Sequence, residues 1–114
     1  MSTRDVGLSA EERAAAILVA EGFRIVERNV RTRRGEIDVV AYEGGTLCFV
    51  EVRYTASLEH GGPLATISHT KKRKIIRAAE DYLLTSGIDA PVRFDVVGLT
   101  PSTQVLLRGA FVAG

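Results

Sequence analysis

The chain has 114 residues, of which 46% are apolar and 25% are charged. This balance is typical of a single folded domain and excludes a disordered chain. Fifteen basic and 14 acidic side chains nearly cancel, so the net charge alone identifies no partner. No apolar run reaches the roughly 18 residues of a membrane-spanning helix, and the N-terminal segment lacks the apolar core of a secretion signal. We therefore expect a cytoplasmic protein that does not enter the membrane.

The first predicted helix covers Ser9 to Glu21. Ser9 and Glu12 have the spacing of a capping box, and Gly22 supplies a left-handed stop. Residues 1–8 are expected to be flexible. Cys48 is the single cysteine, which excludes an intrachain disulfide and a zinc site built on thiolates alone.

Three strands are predicted after this helix. Phe23 to Arg28 alternate in polarity, whereas residues 29–34 have no period and are predicted as a loop. Two runs rich in β-branched residues follow, Glu36–Tyr42 and Thr46–Tyr54. They flank Gly44-Gly45, which permits the tight turn of a hairpin.

The second half of the chain predicts one helix and two strands. Residues 55–69 are predicted as a long loop, and the second helix runs from Thr70 to Thr85 or Ser86. Strands are expected at 92–96 and 105–112. The order α-β-β-β-α-β-β predicts one α/β domain over 1–114, in which a central mixed sheet is flanked by helices.

The hairpin register brings four charges together. A turn at Gly44-Gly45 places Asp38 opposite Glu51 and Glu36 opposite Arg53, all on one face. The opposite face is apolar throughout, as in a strand pair buried on both sides. Its members are Ile37, Val39, Ala41, Cys48, Val50 and Val52.

Asp38 and Glu51 are predicted to share a divalent cation. Side chains directly opposite in a sheet have Cβ atoms roughly 5 Å apart, a distance at which two carboxylates repel. Mg²⁺ or Mn²⁺ would turn that repulsion into binding. Arg53 on the same face would reach a substrate phosphate. The alternative is that Asp38, Glu51, Glu36 and Arg53 form ordinary surface ion pairs on an edge hairpin.

Two basic stretches suggest contact with nucleic acid. Lys71, Lys72 and Lys74 open the second helix, where positive charge opposes the helix dipole. Arg33 and Arg34 belong to the other stretch. These five residues are candidate contacts to a phosphate backbone, although a basic helix face is often only solvated. No pattern for reading bases is present, so recognition would be by shape and backbone.

Two strings resemble a known family. The segment Arg34–Ala41, containing Gly-Glu-Ile-Asp, and the segment Phe49–Arg53, containing Phe-Val-Glu-Val, resemble the YraN-like family of uncharacterised bacterial proteins. That family is grouped with the PD-(D/E)XK nuclease superfamily and with archaeal Holliday-junction resolvases. The resemblance extends over almost the whole chain. Other matching positions are Glu11, Gly22-Phe23, Arg28-Asn29, Gly62-Pro63, Lys71, Ala79, Tyr82-Leu83, Phe94–Val97 and Ala110-Phe111.

The resemblance implies a restriction-endonuclease-like fold with a metal site at Asp38 and Glu51. Glu11 and Glu36 would be auxiliary acids, and Lys71 would contact a phosphate or the active site. Relatives of the resolvase type cleave phosphodiester bonds with Mg²⁺ and act as dimers, so DNA and a second copy of the chain are expected partners.

One position departs from the superfamily pattern, because Arg53 stands where its motif ends in lysine. Arginine stays protonated and cannot serve as a base; Lys71 would replace the lysine if the second helix brings it close. The first hypothesis is therefore a metal-dependent nuclease acting on branched or structured DNA. The second is a non-catalytic nucleic-acid-binding protein on the same scaffold. A third is a protein-interaction domain whose carboxylates bind a partner's basic groups.

Overall fold

A computed structural model describes residues 9–56 and 67–113, together with Gly62. The predicted order of elements is confirmed. The expectation for residues 1–8 and most of the predicted loop at 55–69 lie outside the described residues. The elements are α1 (Ala10–Ala20), β1 (Arg24–Arg31), β2 (Glu36–Glu43), β3 (Thr46–Tyr54), α2 (His69–Ser86), β4 (Val92–Leu99) and β5 (Gln104–Phe111).

The five strands form one mixed sheet in the order β1-β2-β3-β4-β5. β3 and β4 are parallel, and all other neighbours are antiparallel. A parallel pair needs a long crossover connection, and α2 lies within it. Nowhere in 9–56 or 67–113 is there a helix with the length and apolarity needed to cross a bilayer.

The inner strands β2 and β3 are buried on both faces, as the hairpin sequence predicts. On one face Val39, Ala41, Cys48 and Val50 pack in a cluster with α1. On the other, Val40, Leu47, Phe49 and Phe94 pack in a cluster with α2. We call these the α1 face and the α2 face. Because β2 and β3 are inner strands, the alternative of an edge hairpin is wrong.

The helix starts follow their capping residues. The Ser9 hydroxyl accepts from the Glu12 backbone N–H at 3.1 Å, and the Ser68 hydroxyl accepts from the Lys71 N–H at 3.0 Å. Gly87 ends α2 in the left-handed conformation, with φ of 69°. Serine caps of this kind satisfy backbone donors that the helix leaves open.

Two predictions for the sheet are wrong. β1 continues to Arg31, so residues 29–31 are strand rather than loop. Asn29 has a φ of 53°, which asparagine tolerates, and this residue interrupts the alternation that would have revealed the strand. Ile37 packs in the cluster on the α2 face, not with Val39. The change of side falls at Asp38, which the β1–β2 register places opposite Asn29.

Gly35 sets the approach of β2 to α2 and supports a stability test. A Cβ on Gly35 would lie 2.8 Å from the Lys74 carbonyl oxygen and 3.4 Å from the Ala78 Cβ, whereas one on Gly45 would meet nothing within 4 Å. We expect Gly35→Ala to lower the free energy of unfolding by about 1–3 kcal/mol through overpacking. The control Gly45→Ala should change it by less than about 1 kcal/mol. Urea unfolding measures both; equal effects would contradict the close approach.

Candidate active site

The β2–β3 ladder ends where the predicted acids begin. Its pairs run from Glu43–Thr46 to Val39–Val50 in the predicted register. At that end Asp38 Oδ2 accepts a hydrogen bond from the Val52 backbone N–H at 2.8 Å. At the end of the ladder, a carboxylate therefore accepts a hydrogen bond from a backbone N–H. Asp38–Glu51 and Glu36–Arg53, which were predicted to be pairs, are not part of this ladder.

Glu51 lies within the fold, with only 5% of its side chain exposed. Its Oε2 atom is 3.9 Å from the Lys71 Nζ and 3.9 Å from an Arg53 guanidinium nitrogen. Lys71 belongs to α2, so Glu51 is on the α2 face near the start of that helix. The helix thus brings Lys71 close to the site, as the resemblance suggests.

The negative charge of Asp38 acts on Glu51. The pKa of Glu51 is raised to about 7, first by burial and next by that charge. Lys71 and Arg53 act in the opposite direction. A buried carboxylate that is difficult to ionise beside another carboxylate is typical of a functional site, although structural networks also shift pKa values.

The other predicted acids do not complete this group. Glu36 is exposed and forms an ion pair with Arg31 on β1, at 3.4 Å. Glu11 is exposed in the first turn of α1. Within the described parts of the chain, no three Asp, Glu, His or Cys side chains form a group that could hold a metal ion. The auxiliary roles of Glu11 and Glu36 stay predictions.

The five predicted nucleic-acid contacts fall in different surroundings. Lys71 lies at Glu51, and Lys72 packs over the Phe111 ring. Arg34 is bound to Asp81 through contacts of 2.9 and 3.0 Å. Lys74 and Arg33 are exposed. The predicted basic surface is therefore split, with part of it engaged in packing and ion pairs.

A second charged network, at the turn end of the hairpin, is not predicted from the sequence. Fully buried Asp95 accepts two hydrogen bonds from Arg93 at 2.8 Å and one from the Gly109 N–H. Glu43 accepts from Arg93 and from Arg108, and these bonds lower the pKa of Glu43 to about 2. An acid inside the apolar strand β4, two residues after an arginine, is the signal that could have revealed it. Each acid of this network is hydrogen-bonded to an arginine, so its buried charge is compensated within the fold.

Comparison with known sequences identifies the family. The sequence model of the Uncharacterised protein family UPF0102 matches residues 10–99. The chain belongs to this family. The matched segment runs from the start of α1 to the end of β4, so it contains Asp38, Glu51, Arg53 and Lys71. The YraN-like resemblance is confirmed at this level.

Individual relatives match over most of their length. A UPF0102 protein of Chlorobium chlorochromatii is 48% identical over 98 residues, which is 86% of this chain and 76% of the relative. One of Chromohalobacter salexigens is 43% identical over 97% of this chain and 94% of its own. A UPF0102 protein of Methylibium petroleiphilum is 44% identical over 99% of this chain and 98% of the relative.

The raised pKa of Glu51 predicts how stability changes with pH. The folded value of about 7 exceeds the ordinary 4.5, so the wild type is most stable below pH 4.5, where Glu51 is protonated in both states. Relative to the non-titrating variant Glu51→Gln, it loses stability as the pH rises from 4.5 through 7. We expect the difference in free energy of unfolding to change by on the order of 3 kcal/mol across this range. Urea unfolding at a series of pH values measures it, and a difference that does not depend on pH would contradict the burial of an ionisable Glu51.

Proposed function

We propose that the protein is a cytoplasmic, divalent-metal-dependent nuclease that acts on branched or structured DNA, on a restriction-endonuclease-like scaffold similar to that of archaeal Holliday-junction resolvases. The observation that carries this proposal is the pair of interacting carboxylates, Asp38 and Glu51, with two cationic side chains beside it. Lys71 and Arg53 both lie 3.9 Å from Glu51. Cleavage of a phosphodiester bond requires carboxylates that can hold a metal ion and cationic side chains that can bind the phosphate, placed around one point.

The residues fit Mg²⁺ or Mn²⁺. Mg²⁺ is commonly held by one or two carboxylates, with water and substrate phosphate in its other positions, and Asp38 and Glu51 supply such a pair. A bound ion would also offset both causes of the raised Glu51 pKa, which are burial and the negative charge of Asp38. When bound, the metal would polarise the phosphate and acidify the attacking water.

The protein's own groups have separate tasks. The Val52 N–H holds the Asp38 carboxylate in one orientation. Arg53 stays protonated and offers its planar fork to a phosphate oxygen. Lys71 carries a compact charge on a different element, and a lysine can lose its proton when its surroundings lower its pKa. We assign to Lys71 the part that the superfamily gives to its motif lysine.

The alternative functions differ in their support. A non-catalytic nucleic-acid-binding protein is favoured by one observation, the arginine at position 53. The same contacts to phosphate would then serve binding alone. A protein-interaction domain is disfavoured because Glu51, with a side chain only 5% exposed, cannot reach a partner's basic groups.

Cleavage of a four-way DNA junction tests the proposal. Purified protein with Mg²⁺ or Mn²⁺ should cut the junction, and Asp38→Ala should reduce the rate by at least about 100-fold, since it removes a metal ligand. The exposed acid Asp89 supplies the matched control, and Asp89→Asn should cleave as the wild type does. Cleavage that survives Asp38→Ala would indicate a contaminating enzyme. Salt-sensitive junction binding without cleavage would support the non-catalytic alternative.

A rescue experiment tests the role of Lys71. Lys71→Gln should lower the cleavage rate by about 10²-fold or more, because it removes the proposed substitute for the motif lysine. Adding Arg53→Lys to that variant should restore most of the rate by placing a lysine at the superfamily position. Unchanged cleavage by Lys71→Gln would contradict the assignment. If Arg53→Lys does not restore the rate, the role of Lys71 depends on its position on α2.

A further inference from the structure

The start of α2 carries an excess of positive charge. Lys71, Lys72, Arg73 and Lys74 are consecutive, and the first turn holds no acidic residue. Positive charge at a helix N-terminus opposes the helix dipole. Lys71 is compensated by Glu51, but the side chains of Arg73 and Lys74 have no ion pair with any described residue. A negatively charged partner would offset this unfavourable arrangement.

The four bases differ in their surroundings. Lys72 packs over Phe111 of β5, and Arg73 lines a shallow cleft with Ala113, just beyond β5. Lys71 and Lys74 are three residues apart and so are neighbours on the helix surface. At Lys74 the helix backbone also passes close to the β1–β2 turn, since a Cβ on Gly35 would lie 2.8 Å from the Lys74 carbonyl oxygen.

Arg33 lies beside the later turns of the same helix. It lies in the β1–β2 turn, is exposed, and has no ion pair with the described residues. The next residue, Arg34, holds the turn against α2 through Asp81 and donates to the Arg77 carbonyl at 3.4 Å. Arg33 is thereby fixed beside the helix while its own charge stays uncompensated. A cleft of about 820 Å³, partly lined by Arg33, leaves open space at this turn.

We infer that Lys71, Lys74 and Arg33 bind successive backbone phosphates of the DNA strand next to the cleaved bond. This inference rests on the proposed function and names the part of the substrate that the protein holds. Lys74 lies three residues from Lys71, about 4.5 Å along the helix axis, which is between one and two nucleotide steps of about 3.4 Å along a DNA strand. Contacts of this kind position the substrate without reading its sequence.

The salt dependence of DNA binding measures these contacts one at a time. Affinity for a four-way junction is measured in EDTA across a range of salt concentrations, so no cleavage occurs. Each phosphate contact contributes about 0.9 to the slope of log affinity against log salt concentration. The double variant Lys74→Gln with Arg33→Gln should therefore lower the slope by about 2. Lys74→Arg should retain the wild-type slope.

Arg73→Gln is the matched control. It removes one exposed positive charge from the same helix turn, on the β5 side, and should leave the slope unchanged. The inference is overturned if the double variant keeps the wild-type slope, or if Arg73→Gln lowers it as much as Lys74→Gln does. In either case the nuclease proposal still stands if the wild type cleaves the junction. Absence of any salt-dependent DNA binding by the wild type would overturn both.

Discussion

The hydrogen bond from the Val52 N–H to Asp38 is the interaction on which the site depends. It lies where the β2–β3 ladder stops, and it uses a carboxylate to satisfy a backbone donor inside the sheet. Asp38 is half-buried, and this bond holds its carboxylate at the end of the ladder. It remains beside Glu51, which is itself buried. The end of the ladder thus fixes the Asp38 carboxylate by a backbone hydrogen bond instead of leaving it as an ordinary cross-strand partner of Glu51.

In the two charged clusters of this small domain, the pKa of a glutamate is shifted in opposite directions. At the turn end, Arg93 and Arg108 bind Glu43 so well that its pKa falls to about 2. At the open end, burial and Asp38 outweigh Lys71 and Arg53, and the pKa of Glu51 rises to about 7. The first cluster is satisfied within the fold and stabilises it. The second stays incompletely compensated, as a site that must bind a cation or a substrate does.

The sequence predicts those features that depend on local geometry. The register of the hairpin and its burial on both faces follow from Gly44-Gly45 and from alternation. The burial is confirmed, and the register is confirmed from Glu43–Thr46 to Val39–Val50, where the ladder ends. The prediction of a loop is wrong at residues 29–31, because Asn29, with its positive φ, interrupts the side-chain alternation by which a strand is recognised. Ile37 was assigned to the wrong face for the same reason, since alternation breaks opposite Asn29.

Features that depend on packing between distant elements are more difficult to predict from the sequence. The distance from Lys71 to Glu51 is set by how α2 crosses the sheet, which spacing along the chain does not determine. The ion pair between Arg34 and Asp81 likewise forms only because the β1–β2 turn packs against α2. The Asp95 network needs β4 and β5 to lie beside the hairpin, although an acid within an apolar strand is a visible signal.

If Asp38 and Glu51 share one divalent cation, anomalous scattering from a crystal soaked in Mn²⁺ will reveal it. We expect a single strong peak between the two carboxylates, within coordination distance of an oxygen of each. A peak bound elsewhere with this pair unoccupied, or carboxylates too far apart for a common ion, would contradict it.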